Sequence, residues 1–285
     1  LFFIVANIPN CLLKLSKTQK YYSFWKFARL MHQLRNRYIE QLKKSVMNTL
    51  NQDVADSIIN PSSTEEQSQP EWFNHFWFGS ALTMCSLKRL DNIQFCLENC
   101  LRENIPGDFI ECGIWRGGVI ILMKGILDAY GVRNRKVWVA DSFQGLPLPP
   151  RNSIDEKMYN FEKVVEANRF AVSLKTVKSN VARYDLLDDQ VQFLPGWFHE
   201  TLPNVQIDRL AVLRLDGDYY ESTMDTLVHL YPKLSVGGYV IVDDWGLDQI
   251  CGEKQAVIEY RKNHGITDEI IDIDYHSAYW QKTTS

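Results

Sequence analysis

Two stretches of the chain determine its predicted fold, "AVLRLDGDYYESTMDTL" at residues 211–227 and "GGYVIVDDWG" at residues 237–246. Each contains a short apolar run and then turns acidic. The acidic residues at the two run ends are Asp216, Asp218, Asp243 and Asp244. Continuous apolar runs are typical of strands buried on both faces of a parallel sheet. Because parallel strands end at the same edge, we expect these four carboxyl groups to lie close together.

Further apolar runs extend this pattern along the chain. They are "DFIECGI" (108–114), "KVWVADSF" (136–143), "VQFLPG" (191–196), "EIIDIDYH" (269–276) and "AYWQK" (278–282), in addition to 210–217 and 239–245. Segments that can form helices separate the first five runs, at 117–130, 174–184, near Glu200 and at 222–231. The last two runs are joined too closely for a crossover helix and are predicted to form an antiparallel pair. The sequence therefore predicts an α/β fold with a mostly parallel seven-stranded sheet and a reversed last strand.

The amino end of the chain differs in charge from the rest. Residues 1–50 carry nine Lys or Arg and one Glu, a net charge of +8, so the remainder carries −12 of the overall −4. Apolar residues recur at helical spacing over 21–50, which predicts one or two amphipathic helices. The stretch that follows, rich in Ser, Glu, Gln and Pro, predicts a linker with a boundary near residue 70. We therefore expect a basic helical extension with a lid and linker at 1–70 and a catalytic domain at 71–285.

Composition excludes several classes of protein. The acidic body lacks the clustered cations that a nucleic-acid track needs, so no nucleic-acid partner is expected. The apolar start of the chain is interrupted by Asn and Pro, which predicts no transmembrane segment. Six cysteines without a CxxC pair indicate a reducing, cytoplasmic location. Cys96 and Cys100 have helical spacing, which favours two core thiols over a metal pair. The sequence leaves homo-oligomer formation open.

The end of the first predicted strand has features of a cofactor site. In "ECGIWRGG", Glu111 and Gly113 precede two glycines that open a helix. Glycines at such a turn let a ligand approach the backbone, although tight strand-to-helix packing explains them equally well. Neither GxGxxG nor a phosphate-binding loop is present. Asp141 ends the second strand, where an acid can bind ribose hydroxyls; capping of a turn by Asp141 or Ser142 is the alternative. Together these features suggest S-adenosylmethionine.

The acidic strand ends predict a metal site. Asp216, Asp243 and Asp244 provide oxygen ligands of the kind that Mg²⁺ or another divalent cation prefers, with capping of loops as the alternative. Converging carboxylates without a positive partner repel one another, and a divalent ion would remove that repulsion. Asp218 is expected instead to cap the helix that begins near Glu221.

Five stretches together resemble the macrocin O-methyltransferase family. They are "GDFIECGIWRGG", "RKVWVADSFQGLP", "LLDDQVQFLPGWF", "LAVLRLDGDYYESTMDTLVHLYPKLSVGGYVIVDDWG" and "DEIIDIDYHSAYWQK". The resemblance runs from about residue 83 to 282. It implies a class I methyltransferase (Rossmann-like) fold and an enzyme that uses S-adenosylmethionine and Mg²⁺ to methylate a sugar hydroxyl of a natural product. The stretch matching the family's substrate lid, 54–82, looks different here, so the resemblance does not identify the acceptor.

The resemblance also implies residue roles. Asp216 would act as base and metal ligand, with Asp243 and Asp244 as the other metal ligands. The implied cofactor pocket comprises Met84, Glu111, Gly113, Trp115, Asp141, Ser142, Gly196 and Trp197. The implied partner is a small-molecule hydroxyl acceptor, a glycosylated natural product.

Three other functions fit parts of the sequence. A metal-dependent catechol or phenol O-methyltransferase would use the same cofactor and metal. The "DGD" motif at 216–218 also matches the DxD motif of glycosyltransferases that bind a nucleotide-sugar diphosphate through a cation. A non-catalytic binding module is the third alternative. Retention of three converging acids argues against it, because a scaffold would gain nothing from their repulsion.

Overall fold

A computed structural model describes residues 17–50, 80–158, 170–246 and 252–284. Within these ranges seven strands form one sheet in the order β3-β2-β1-β4-β5-β7-β6. The strands are β1 (Asp108–Cys112), β2 (Val137–Asp141), β3 (Val191–Pro195), β4 (Leu210–Leu215), β5 (Leu234–Val242), β6 (Ile271–Asp272) and β7 (Ala278–Gln281). Strands β1 to β5 pair in parallel, whereas β7 is antiparallel to both β5 and β6. The predicted mostly parallel sheet with a reversed last strand is therefore confirmed.

Helices connect most of these strands. They are α1 (Lys17–Val46), α2 (Leu87–Arg102), α3 (Gly118–Ala129), α4 (Ile154–Met158), α5 (Leu174–Ala182), α6 (Phe198–Thr201), α7 (Tyr220–Leu230) and α8 (Gly252–Asn263). The amphipathic segment near the amino end forms one helix, α1. The helices expected between the strands are present, but α4 and α8 were not predicted. None of the described helices is both long and apolar enough to cross a membrane.

Contacts divide the chain into two units, Leu1–Gln41 and Leu42–Ser285. In the first unit, the described part of α1 exposes several large apolar side chains, including Trp25 and Phe27. The second unit contains the whole sheet. The boundary predicted near residue 70, and most of the predicted lid at 54–82, lie outside the described residues.

The core explains why the strand sequences are so apolar. All six residues of β4 are buried, because β4 lies between β1 and β5 and is covered on both faces. On one face its alternate residues pack with apolar residues of α7 and α8. On the other, α2 packs against β4 and β5. This burial leaves only the strand ends available for chemistry.

Gly113 determines how closely the ends of β1 and β4 approach. Its φ is +94°, and a Cβ at this position would lie 1.7 Å from the backbone oxygen of Asp216. A side chain is therefore excluded twice, by backbone strain and by lack of space. The close approach brings the turn after β1 against the acidic end of β4.

Candidate active site

A cavity of about 640 Å³ opens at the carboxyl ends of β1, β2, β4 and β5. Nine of the eleven predicted site residues line it: Met84, Gly113, Trp115, Asp141, Ser142, Trp197, Asp216, Asp243 and Asp244. The other two, Glu111 and Gly196, are not among the lining residues. This size suits a nucleoside cofactor together with part of a second ligand.

Asp141 is held by the backbone around it. Its Oδ2 accepts a hydrogen bond from Ile114 N at 2.7 Å, and its Oδ1 accepts one from Phe143 N at 2.6 Å. Burial raises the pKa of Asp141, against the opposing effect of these hydrogen bonds. The turn-capping alternative therefore describes what Asp141 does in the structure. A carboxylate has about four acceptor positions, so ribose hydroxyls could bind as well.

The other predicted cofactor residues divide into two groups. Ser142 closes a turn by accepting from Gln144 N and donating to Gly145 O. The Trp115 indole Nε1 is a buried donor without a hydrogen-bond partner, and Trp115 lines the cavity. That donor fits a cofactor with an anionic end. By contrast, Glu111 is buried beside a guanidinium and does not line the cavity, so the structure offers no direct contact from it to a cofactor.

Arg214 is the centre of the acidic cluster. Its guanidinium donates to Glu111 Oε1 at 2.6 Å, Asp216 Oδ2 at 2.7 Å, Asp243 Oδ1 at 2.6 Å and Cys85 Sγ at 3.1 Å. The Arg214 side chain is 1% exposed. The expectation that these acids converge without a positive partner is therefore wrong, because Arg214 is that partner.

Arg89 is a second cation at the site. It donates to Asp243 Oδ2 at 2.8 Å and to Asp274 Oδ2 at 3.0 Å. Burial acts to raise the pKa of Asp243, but Arg214 and Arg89 outweigh it and the pKa is lowered. Both Asp243 oxygens thus accept from guanidinium groups. This makes Asp243 a less available metal ligand than the sequence suggests.

The pKa values of the remaining aspartates, Asp216, Asp218 and Asp244, are raised. Burial raises the pKa of Asp216 to about 8 despite Arg214, and burial together with the charge of Asp243 raises the pKa of Asp244 to about 6. Burial and the Asp244 charge raise the pKa of Asp218 well above its usual range. The carboxyl groups of Asp218 and Asp244 act on each other, and a proton or a cation between them would relieve the repulsion of two carboxylates.

Asp218 does not have its expected capping role. The N-cap of α7 is Tyr219, whose side chain does not cap the helix, and Tyr220 N donates to Asp155 Oδ2. The helix cap expected of Asp218 is therefore wrong. Asp218 lines the cavity with the other three aspartates.

Among the described residues, no group of three His, Cys, Asp or Glu side chains is arranged to hold a metal ion. The donor chemistry nevertheless fits a hard cation, because carboxylate oxygens of Asp216, Asp218 and Asp244 face the same cavity with raised pKa values. The thiols of Cys96 and Cys100 are buried and form no disulfide bond.

Three important residues of the site are absent from the sequence prediction: Arg214, Arg89 and Glu253. Arg214 could have been recognised, since a single charge inside a buried strand needs an ionic partner. Arg89, on α2, is 154 residues from Asp243. Glu253, on α8, accepts hydrogen bonds from the backbone amides of Asp218, 35 residues away, and of Asp244, 9 residues away. No local signal marks either of them.

The comparisons with known proteins agree with this geometry. The model of the macrocin O-methyltransferase (TylF) family matches residues 31–282. The chain belongs to this family. As a member of a methyltransferase family it is an O-methyltransferase, with S-adenosylmethionine as the implied methyl donor. Membership removes the glycosyltransferase and the non-catalytic module from the alternatives.

Individual O-methyltransferases resemble the chain over most of its length. The demethyldecarbamoylnovobiocin O-methyltransferase of Streptomyces niveus is 54% identical over 73% of this chain and 78% of its own. The mycinamicin III 3''-O-methyltransferase of Micromonospora griseorubida is 47% identical over 86% of this chain and 96% of its own. The structure of the O-methyltransferase NovP superimposes with a TM-score of 0.74 and 45% identity, covering 88% of this chain and 100% of NovP. The class I methyltransferase fold is thereby confirmed.

Proposed function

We propose that the chain transfers a methyl group from S-adenosylmethionine to a sugar hydroxyl of a glycosylated natural product, with the help of a divalent cation. The observation that carries the proposal is the cluster of four aspartates and two guanidinium groups beside a nucleoside-sized cavity. The names of relatives such as the mycinamicin III 3''-O-methyltransferase support a sugar acceptor. We also propose that residues 71–285 are the catalytic domain and 1–70 an extension that contributes to the lid.

The cofactor would lie between the ends of β1 and β2. Gly113, which lines the cavity, would lie beside it, Asp141 would accept hydrogen bonds from its ribose, and Trp115 Nε1 would donate to its methionine carboxylate. Met84, Ser142 and Trp197 would enclose it, with Gly196 and Trp197 beside the adenine. Glu111 would act through Arg214 rather than by contact, because it is buried against that guanidinium.

A divalent cation, when bound by Asp216, Asp244 and Asp218, would lower the pKa of the acceptor hydroxyl. Asp243 would either bind the cation as a further ligand or support the site by holding Arg214 and Arg89 in place. Arg214 holds Asp216 through Oδ2, so Oδ1 is the atom assigned to accept the hydroxyl proton. S-adenosylmethionine, when bound, would supply a methyl group for the deprotonated oxygen, and its sulfur would keep the electron pair of the broken bond to carbon. Holding the acceptor oxygen in line with that methyl group would supply much of the rate.

Methyl transfer to a small acceptor panel tests this function. The panel contains mycinamicin III, demethyldecarbamoylnovobiocin and a simple catechol, each incubated with labelled S-adenosylmethionine and Mg²⁺. We expect label on at least one glycoside and none on the catechol. Label on the catechol alone would favour the phenol O-methyltransferase, and transfer to none of them would contradict the proposed acceptor class.

Removal of divalent cations is expected to abolish turnover. Without a cation, the carboxyl groups of Asp216, Asp218 and Asp244 provide no positive charge to lower the pKa of an acceptor hydroxyl. The measurement is the rate after dialysis against EDTA and again after addition of Mg²⁺. Undiminished turnover in EDTA would show that the enzyme is metal-independent.

Asp141→Ala is expected to weaken cofactor binding by roughly 1.5 to 3 kcal/mol, since it removes hydrogen bonds to a charged group. The measurement is the dissociation constant of S-adenosylhomocysteine by calorimetry, together with the melting temperature. Asp208→Ala is the matched control, because the Asp208 side chain is 99% exposed. An unchanged dissociation constant in Asp141→Ala would remove the ribose role.

A further inference from the structure

One buried side chain, Glu253, joins the backbones of the two acidic loops of the site, in addition to the link that Arg214 makes between the side chains of Asp216 and Asp243. Its Oε2 accepts hydrogen bonds from Gly217 N at 3.1 Å and Asp218 N at 3.2 Å, in the loop after β4. Its Oε1 accepts from Asp243 N at 3.1 Å and Asp244 N at 3.2 Å, after β5. One carboxylate thus binds two backbone amides of each loop. Glu253 is fully buried and does not line the cavity.

The contact between Glu253 and these loops is reinforced on both sides. The backbone N–H of Glu253 donates back to Asp218 O at 3.3 Å. The preceding Gly252 allows α8 to begin this close to α7, because a Cβ there would lie 2.4 Å from Tyr220 N and 1.9 Å from Asp155 Oδ1. Asp243 N also donates to Leu215 O at 3.0 Å, whereas the other three amides donate to Glu253.

We propose that Glu253 is a positioning residue that sets the distance between the Asp216–Asp218 loop and the Asp243–Asp244 loop. The inference rests on the proposed function in one respect, namely that these loops supply the ligands of a divalent cation. Asp216 and Asp244 lie on different loops, so the distance between their carboxyl groups depends on the contacts that join the two loops. Groups that orient metal ligands typically contribute 10- to 100-fold to metal affinity.

Two substitutions of Glu253 distinguish a role in positioning the loops from a role in packing alone. Glu253→Gln keeps the size, but its NH₂ group must face two N–H donors, so one loop loses its acceptor. Glu253→Asp keeps the charge but is one methylene shorter and cannot reach both loops. Glu269→Gln, at an exposed glutamate, is the control.

The first measurement is amide hydrogen exchange, followed on peptides that cover residues 210–219 and 239–246. In the wild-type protein we expect the amides of Gly217, Asp218 and Asp244 to be protected, although they follow the strand ends. Glu253→Gln should expose at least one loop, while Glu269→Gln should leave both unchanged. Rapid exchange in the wild-type protein, or full protection in Glu253→Gln, would overturn the proposal. The wild-type result is decisive even when neither variant folds.

The second measurement is calorimetric titration with S-adenosylhomocysteine and then Mg²⁺. In Glu253→Gln and Glu253→Asp we expect Mg²⁺ to bind about 10- to 100-fold more weakly, with the affinity for S-adenosylhomocysteine within about twofold of wild type. Wild-type Mg²⁺ affinity in both variants would overturn the proposal. A wild-type protein that binds no Mg²⁺ would refute the metal part of the proposed function instead, and hydrogen exchange would still test the role of Glu253.

Discussion

Asp216→Asn is expected to lower kcat by about 10² to 10⁴ even at saturating Mg²⁺, the usual contribution of a general base. The amide keeps an oxygen for Arg214 but cannot take the hydroxyl proton. The measurement is the rate as a function of Mg²⁺ concentration, with S-adenosylmethionine and acceptor saturating.

Asp244→Asn is the matched comparison for Asp216→Asn. It removes one proposed ligand oxygen and also relieves repulsion, since the pKa of Asp244 is raised by burial and by Asp243. We expect its rate to recover as Mg²⁺ is raised. Asp243→Asn is less suitable, because it would leave Arg214 and Arg89 short of a negative partner. Full recovery of Asp216→Asn with Mg²⁺ would show that Asp216 is only a ligand, and a slow Asp218→Asn would then assign the base to Asp218.

Arg214→Met is expected to destabilise the fold by about 3 to 5 kcal/mol, the usual cost of removing one member of a buried ionic network. Glu111, which is 2% exposed, would lose its cationic partner, and Asp216 and Asp243 would repel each other more strongly. The measurement is the free energy of unfolding in urea. Arg214→Lys should recover only part of the loss, because an ammonium group cannot reproduce a planar fork of donors.

Arg209→Met is the control for Arg214→Met. Its side chain is 62% exposed and its nearest carboxylate is 3.9 Å away, so we expect a change within about 0.5 kcal/mol. A similarly small change in Arg214→Met would contradict the central role of Arg214 in the network.

The sheet was predictable because its strands are buried on both faces and read as continuous apolar runs. β4 is the clearest example, with every residue buried. The position of Asp216, Asp243 and Asp244 at one edge follows from parallel strand ends alone. The periodicity of the sequence did not predict helix α8, which follows the acids at the end of β5 after a short connection.

Electrostatics was the less predictable part of the site. The acids were expected to need a cation, but the sequence does not show that α2 brings Arg89 to Asp243 or that Arg214 bonds three carboxylates at once. The capping role expected of Asp218 failed for a similar reason. Asp155, from α4, accepts a hydrogen bond from the first amide of α7, and Asp218 lines the cavity. Both outcomes depend on contacts between segments distant in sequence.

The most direct test of the account is a crystal structure with S-adenosylhomocysteine and Mn²⁺, in which anomalous scattering locates the ion. The account predicts one anomalous peak bound by oxygens of Asp216 and Asp244, with the ribose at Asp141 and the cofactor sulfur facing Asp216. A cofactor bound in this way with no peak at the aspartates would contradict the metal-assisted mechanism. A cofactor bound elsewhere would contradict the assignment of the site.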